Sequence, residues 1–278
     1  MGNLSISNGY LSSEIDPEDG MNVVSLKYKG IEVVECDLEK KKAGRTYAIP
    51  ILFPTPNRTR DDKYLFDGIE VKTFRHGFAR KTSFEIIDAS ESSITGRALY
   101  PKTDTFPYDI ELLVKISTED NKLRWDFTIE NRGDNPFPFG LALHPFFDKK
   151  LFKTVSSTLE KAMLMDDQML PTGETQSADF SKGVALDNLD VDCVFLSDSV
   201  ISSALYGDHL TMKISGSDEF NHVVIYTGKD FSFVCVEPQT CSTDFVNLHN
   251  KGFGKEANML VIDKKDKKSL YIEFSFSE

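Results

Sequence analysis

Period-two alternation restricts this chain more than any other feature. Across residues 123–130 the apolar side chains of Leu123, Trp125, Phe127 and Ile129 alternate with Arg124, Asp126, Thr128 and Glu130. Side chains of an extended strand point to opposite faces in turn, so the segment has one apolar and one polar face. That reading puts Trp125, the single tryptophan, in the core and not on a sugar-stacking surface. Further strands are expected near residues 84–87, 93–99, 110–116, 210–214, 223–226, 231–236 and 270–274, where β-branched and aromatic residues gather. Residues 23–36 read as two strands joined near Lys29-Gly30. Residues 64–71 turn on Asp67-Gly68, a dipeptide suited to the positive φ angles of a tight hairpin. The best helix candidate is 159–170, closed by Pro171. With no internal repeat and no low-complexity linker, the pattern predicts an all-β chain: one domain over 1–278, folded as a single large antiparallel sandwich.

Composition narrows the function. The chain has 278 residues, 40% hydrophobic and 27% charged, an ordinary globular balance that excludes a disordered tail. Its 32 Lys and Arg face 44 Asp and Glu, giving a formal charge of −12. Nucleic acid and anionic membrane both require a cationic footprint, so neither is expected as a partner. A phosphorylated ligand stays open, because a local basic pocket can sit in an acidic protein. Cys36, Cys193, Cys235 and Cys241 form no C-x-x-C pair, which removes a zinc ribbon or thioredoxin motif and argues against a disulfide framework. No basic segment followed by an apolar one opens the chain, and Ile6 occupies the position where myristoylation needs Ser or Thr. No apolar run reaches the length of a membrane span. A reduced, soluble, cytoplasmic chain is the expectation.

Few residues are placed for chemistry. His76 lies in Phe-Arg-His-Gly-Phe-Ala-Arg, His144 in Leu-His-Pro-Phe-Phe, and Glu237 between the apolar strand 231–236 and Pro238. Arg58 sits in a Pro-rich loop beside Asn57, and Asp192 in an acidic cluster with Asp187 and Asp190. Taken singly, a lone His or Glu is more often a hydrogen-bonded structural residue, and the others read as a salt-bridged loop arginine and a turn or cap aspartate. Metal sets are not indicated, since no two histidines stand at i, i+4, and His209, His222 and His249 lack neighbouring ligands. The acidic cluster does not match a calcium loop, Gly252-Phe-Gly254 lacks the rest of a phosphate-binding fingerprint, and no G-x-S-x-G elbow occurs.

Six short blocks, taken together, go further. Pro54-Thr-Pro-Asn-Arg58, His76-Gly-Phe-Ala-Arg80, His144-Pro-Phe-Phe147, Met169-Leu-Pro-Thr-Gly-Glu174, Tyr226-Thr-Gly228 and Val236-Glu-Pro238 resemble, in this order, the blocks of the aldose 1-epimerase (galactose mutarotase) family. The resemblance implies a single β-supersandwich, in agreement with the strand reading. It implies an isomerase acting on a small-molecule hexose, with no cofactor and no metal. His144 resembles the family's general acid and Glu237 its general base. Arg58, after Asn57, matches the arginine that binds sugar hydroxyls, and His76 the second active-site histidine. Asp192 resembles the sugar-binding aspartate, with Asp187 and Asp190 as competitors.

The block at His76 departs from the longer His-Gly-Gly type of galactose mutarotases. Its His-Gly-Phe-Ala-Arg form is similar to hexose-6-phosphate 1-epimerases, although Phe84 stands near where those carry a Trp. Asn57-Arg58 leans toward the members that act on free sugars. The resemblance therefore implies a free aldohexose as substrate, with a hexose 6-phosphate as the alternative. Arg80 is then either a phosphate ligand or a structural residue paired to an acidic neighbour. A non-catalytic sugar-binding protein is a further alternative. A glycosidase of the same fold would need two opposed carboxylates, whereas the pair here is His with Glu.

Overall fold

The alternating segment becomes the middle of a nine-stranded antiparallel sheet. A computed structural model describes residues 2–278. Lys122–Asn131 pairs with Ile110–Glu119 on one side and Lys267–Ser277 on the other. The register sets Trp125 between Ile116 and Ile272, fully buried with the Phe274 ring 4.8 Å away. Outward from these three strands lie Ser93–Tyr100 and Glu85–Ala89 at one edge. At the other lie Thr211–Gly216, Ser203–Tyr206, Thr154–Ser157 and Phe180–Ala185.

A second antiparallel sheet runs Pro171–Ser177, Lys161–Met165, Val191–Leu196, His222–Thr227, Phe233–Gln239, Ala142–Leu143 and Ile51–Leu52, and Phe147–Asp148 also pairs with Phe233–Gln239. Its Val223, Ile225, Val234 and Val236 belong to the same buried cluster as Trp125, Phe127 and Phe274. Phe147 meets Phe274 of the first sheet at 5.6 Å. Sheet packs on sheet, as the all-β expectation requires. A smaller four-stranded sheet of Leu4–Ser7, Leu11–Asp16, Asn22–Tyr28 and Ile31–Glu32 precedes them. Both expected turns occur: Lys29-Gly30 and Asp67-Gly68 all have positive φ. The four cysteines are free, and among the described residues no helix is long and apolar enough to cross a membrane.

Three local expectations are corrected. Residues 159–170 are not a helix: Lys161–Met165 is a strand held between Pro171–Ser177 and Val191–Leu196. The chain reverses at Asp166, whose carboxylate accepts the N–H groups of Gln168 and Leu170, so the apolar residues face a sheet neighbour and not a helix stripe. Asp192 is neither turn nor cap but lies within Val191–Leu196, opposite Tyr226. Glu237 does not follow its strand. Phe233–Gln239 continues through it, because Gln239 still pairs with His222 and Ala142. The helices that do form are short: Leu38–Lys42, Phe245–Asn250 and Gly254–Ala257.

Candidate active site

Strand alternation builds the floor of a cavity of about 500 Å³, a usual size for a small-molecule site. In Phe233–Gln239 the odd-numbered residues share a face, while Val234 and Val236 point into the core. Pairing carries that face sideways, Glu237 standing opposite Val224 and Asp192 opposite Tyr226. Asp192, Val224, Tyr226, Phe233 and Glu237 all line the cavity. A carboxylate between Val236 and Pro238 is thus no accident of a strand end. The same alternation that buries the valines presents Glu237 to the site.

The walls come from irregular segments pinned to this floor. After Ala142–Leu143, His144 donates its backbone N–H to Pro50 and Phe146 donates its own to Ala48, which turns both side chains into the cavity. The His144 ring stacks on Phe146 at 4.6 Å and meets Tyr226 edge-on at 6.5 Å. His76 and Asn57 both have left-handed backbone, with φ of 67° and 61°, and the His76 N–H donates to the Asn57 carbonyl at 2.7 Å. Such conformations are costly for residues other than glycine and gather at functional sites. Gly77 makes them attainable: it lies so close to the Phe53 carbonyl that a Cβ would sit 2.1 Å from the oxygen.

Within the cavity His144 Nδ1 comes to 3.4 Å of Glu237 Oε1, within ion-pair reach but without hydrogen-bond alignment, so the ring nitrogen has no hydrogen-bond partner. The other oxygen, Oε2, accepts a hydrogen bond from Gln239 Nε2, and Gln239 Oε1 accepts one from Asn57, both at 3.1 Å. This relay orients the carboxylate. His76 lies edge-on to His144, with ring centroids 5.6 Å apart, and its Nδ1 is likewise buried without a partner. Arg58 donates to the Gln168 carbonyl at 3.0 Å and shares with Asp192 a small adjoining recess.

Burial sets the protonation. It pushes His144 down to about 3, with the charges of Arg75, Lys40 and Arg80 acting in the same direction. It holds His76 well below the ordinary histidine range, helped by His144 and the nearby arginines. It drives Glu237 well above the carboxylate range, reinforced by Asp192 and opposed by Gln239 and Arg75. Burial thus disfavours the charged form of both groups, so a proton shared by the pair rests on Glu237 and not on His144. Moving it from Glu237 to His144 gives a carboxylate beside an imidazolium with no change in proton count. The pair is poised to take a proton on one side of a ligand and give one on the other.

All seven residues singled out in the sequence, His144, Glu237, Arg58, Asn57, His76, Asp192 and Arg80, line this cavity; Asp187 and Asp190 do not line it. Arg80 is not ion-paired on a solvated strand. It is half-buried in the turn Ala79–Lys81 and donates to the Gly44 carbonyl at 3.1 Å. Sequence reasoning missed Gln239, whose signal is its i+2 spacing from Glu237 along a strand. It also missed Lys40, Arg45 and Arg75, of which only Arg75 adjoins a recognised block. His144, Cys235 and Glu237 each bring one ligand atom within 4.8 Å of the others, a trio able to hold a metal ion that no linear spacing could reveal.

Fold and cavity together define a β-sandwich protein with a small-molecule site. The family model for aldose 1-epimerase matches residues 3–271, and the chain belongs to that family. Among solved structures it is similar to a galactose mutarotase-like protein of Clostridium acetobutylicum, with a TM-score of 0.88 and 18% identity over 99% of this chain and 94% of that one. It is also similar to a galactose mutarotase-like protein of Lactobacillus casei, with a TM-score of 0.82 and 20% identity over 99% and 100%. The GalM/aldose epimerase homologue of C. elegans gives a TM-score of 0.83 and 16% identity over 100% and 99%. At these identities the likeness is one of fold.

Proposed function

We propose that the chain interconverts the α and β anomers of an aldohexose by general acid/base catalysis. The observation that carries this reading is the approach of His144 Nδ1 to Glu237 Oε1 at 3.4 Å on a cavity floor. Anomer exchange requires the cyclic hemiacetal to open and to close on the other face of C1. In the ionised arrangement Glu237 takes the proton of the C1 hydroxyl while His144 gives its proton to the ring oxygen. The bond from C1 to the ring oxygen breaks, and its electron pair stays with that oxygen. The C1 oxygen becomes a carbonyl. Rotation about C1–C2 presents the other carbonyl face, and both transfers then run in reverse. The pair ends with the proton count it began with, so each turnover needs no external acid, base or redox partner.

Positioning supports the same reading. The open-chain form must stay in place while only its C1 end turns. Arg58 and Asp192, which line the cavity and its recess, would hold hydroxyls remote from C1, and Asn57 reaches Glu237 only through Gln239. The direct test is the optical-rotation decay of freshly dissolved α-glucose and α-galactose with and without the protein. Acceleration over the spontaneous rate is the expected result. Sugar binding without acceleration assigns the fold to a carbohydrate sensor and removes the catalytic role of the pair.

A further inference from the structure

The charge around the cavity is not that of a site built for a neutral sugar. Five cationic side chains line it, Lys40, Arg45, Arg58, Arg75 and Arg80, against the carboxyl groups of Asp192 and Glu237. This surplus stands in a chain of net charge −12. Burial and protonation of Glu237 widen it further. Lys40 has other partners: Glu35 at 3.7 Å and the rings of Phe146 and Phe233 at 4.5 and 4.1 Å. Arg58 and Arg75 feel the charge of Asp192. Arg45 and Arg80 have no ion-pair partner among the described residues, and Arg80 Nε is buried without any hydrogen-bond acceptor. Burial weakens the hold of Arg80 on its charge, the repulsion of Arg75 acts in the same direction, and the charge of Asp19 opposes both. A half-buried guanidinium left this way needs an acceptor to offset its lost hydration.

The cavity is also polarised end to end. Two recesses open from it. One is lined by Asn57, Arg58, Arg75, His76 and Asp192 among others. The other shares Gly44, Arg45, Thr46 and Arg80 with the cavity and adds Lys41, Lys81 and the carboxylate of Asp19, with Lys41 already paired to Asp16 at 2.7 Å and Asp19 at 3.9 Å. His144 and Glu237 line the main cavity but neither recess. The chain delivers the second group compactly. Asp37 caps Leu38–Lys42, the Arg45 N–H closes back on the Lys40 carbonyl at 2.9 Å, and Arg80 ties down Gly44. A ligand seated with its C1 at the acid/base pair and its hydroxyls against Asp192 and Arg58 shares the cavity with Arg45 and Arg80.

We propose that the sugar turned over here is an anionic aldose, a hexose phosphomonoester, whose phosphoryl group is received by Arg45 and Arg80 beside Gly44 and Thr46. Arginine suits the task because its planar donors match phosphoryl oxygens in pairs. This assignment rests on the anomerase reading of His144 and Glu237, and it runs against the free-hexose expectation drawn from Asn57-Arg58. A dianion offsets the surplus that Asp192 leaves, which a neutral hexose cannot do. Arg45 and Arg80 thereby become substrate-binding, specificity-determining residues.

The test pairs rates with a ligand that cannot react. Anomer exchange of glucose, glucose 6-phosphate and glucuronate is followed by saturation-transfer NMR in one low-salt buffer. Binding of 1,5-anhydroglucitol and its 6-phosphate, which have no anomeric hydroxyl, is measured by calorimetry. Glucose 6-phosphate is expected to exceed glucose at least tenfold in kcat/KM, with the gap shrinking as salt is added. Arg80→Met and Arg45→Ala should each lower kcat/KM for the phosphate ester at least tenfold more than for glucose. Equal rates for ester and free sugar, or losses in the variants that fall equally on both, overturn the proposal. Glucuronate matching the phosphate ester overturns the phosphoryl assignment in favour of a carboxylate. If no sugar is accelerated but the anhydro phosphate binds the wild type tightly and Arg80→Met weakly, the anion subsite stands and the anomerase reading falls. If the anhydro phosphate binds no better than anhydroglucitol, the subsite falls whatever the rates.

Discussion

Replacing Glu237 with Gln should separate chemistry from folding more cleanly than any other change. Gln has nearly the same volume, and its carbonyl oxygen can still accept the bond that Gln239 Nε2 now donates to Glu237 Oε2 at 3.1 Å. Its amide would face His144 Nδ1, which lies 3.4 Å from Oε1 and has no hydrogen-bond partner. No buried polar atom is therefore stranded, and no cavity opens. What disappears is the proton acceptor. A positioned acid or base contributes about 10²–10⁴ in rate, which is roughly 2.7–5.4 kcal/mol of barrier. Stability should move the other way. Burial raises the pKa of Glu237 in the folded state, so the folded form holds a proton that the unfolded chain has released above the ordinary carboxylate range. Stability associated with this group is present at acid pH and is lost as pH rises through the raised value. At pH 8 Glu237→Gln should melt no lower than wild type while kcat falls 10²–10⁴-fold. The assay is saturation-transfer NMR on the preferred aldose, with spontaneous exchange subtracted, and melting is followed by circular dichroism. His144→Asn should fall within the same range, and the double variant should be little worse than the poorer single one, because the two act as a unit. Wild-type turnover by folded Glu237→Gln, or lost activity that only tracks a lower melting temperature, refutes the reasoning.

Other outcomes follow from the same geometry. Gly77→Ala forces a Cβ to 2.1 Å from the Phe53 oxygen at φ +68°, so melting temperature and kcat should drop together as His76 is displaced; a cost on the order of 1–3 kcal/mol is the usual scale of such strain, and an unaffected variant shows that the loop 76–79 can shift freely. In the Glu237→Gln background, where the opposing contribution of the raised Glu237 is gone, acid should destabilise the fold. His144 and His76 have depressed folded pKa values, so between about 6.5 and the folded values the unfolded chain binds more protons, and stability falls as pH falls at ~1.4 kcal/mol per unit per group. Urea midpoints measured from pH 7 to pH 4 check this, and a flat profile removes burial as the cause of the depression. Dialysis against a chelator should leave kcat unchanged, since the acid/base route uses no metal. Loss restored by added zinc would reassign His144, Cys235 and Glu237 as ligands.

The parts legible in the sequence were those governed by neighbours along the chain. Alternation at Leu123–Trp125–Phe127–Ile129 and the Asp67-Gly68 turn depend on local geometry, and both took the expected form. Glu237 was found because its block is local, but its placement was misread, since Pro238 looks like an end until Gln239 is seen paired to both His222 and Ala142. Residues 159–170 failed for the related reason that a partner strand, and not the periodicity of the segment, decides whether Ala162 and Met163 face a sheet. The cation cluster was least legible. Lys40 lies within the short helix Leu38–Lys42 and Arg45 just after it, neither with a recognisable signal, and Arg80 belongs to a block whose neighbours gave it two opposite roles. Only the packing of the loop at Gly44 against the turn at Ala79–Lys81 sets Arg45 and Arg80 on one recess. Glu237 is set by strand register and His144 by the irregular segment after Ala142–Leu143, whereas the proposed anion end is built by loop against loop. Discrimination among substrates must be tested at Arg45 and Arg80, because His144 and Glu237 would act alike on any aldose that reaches them.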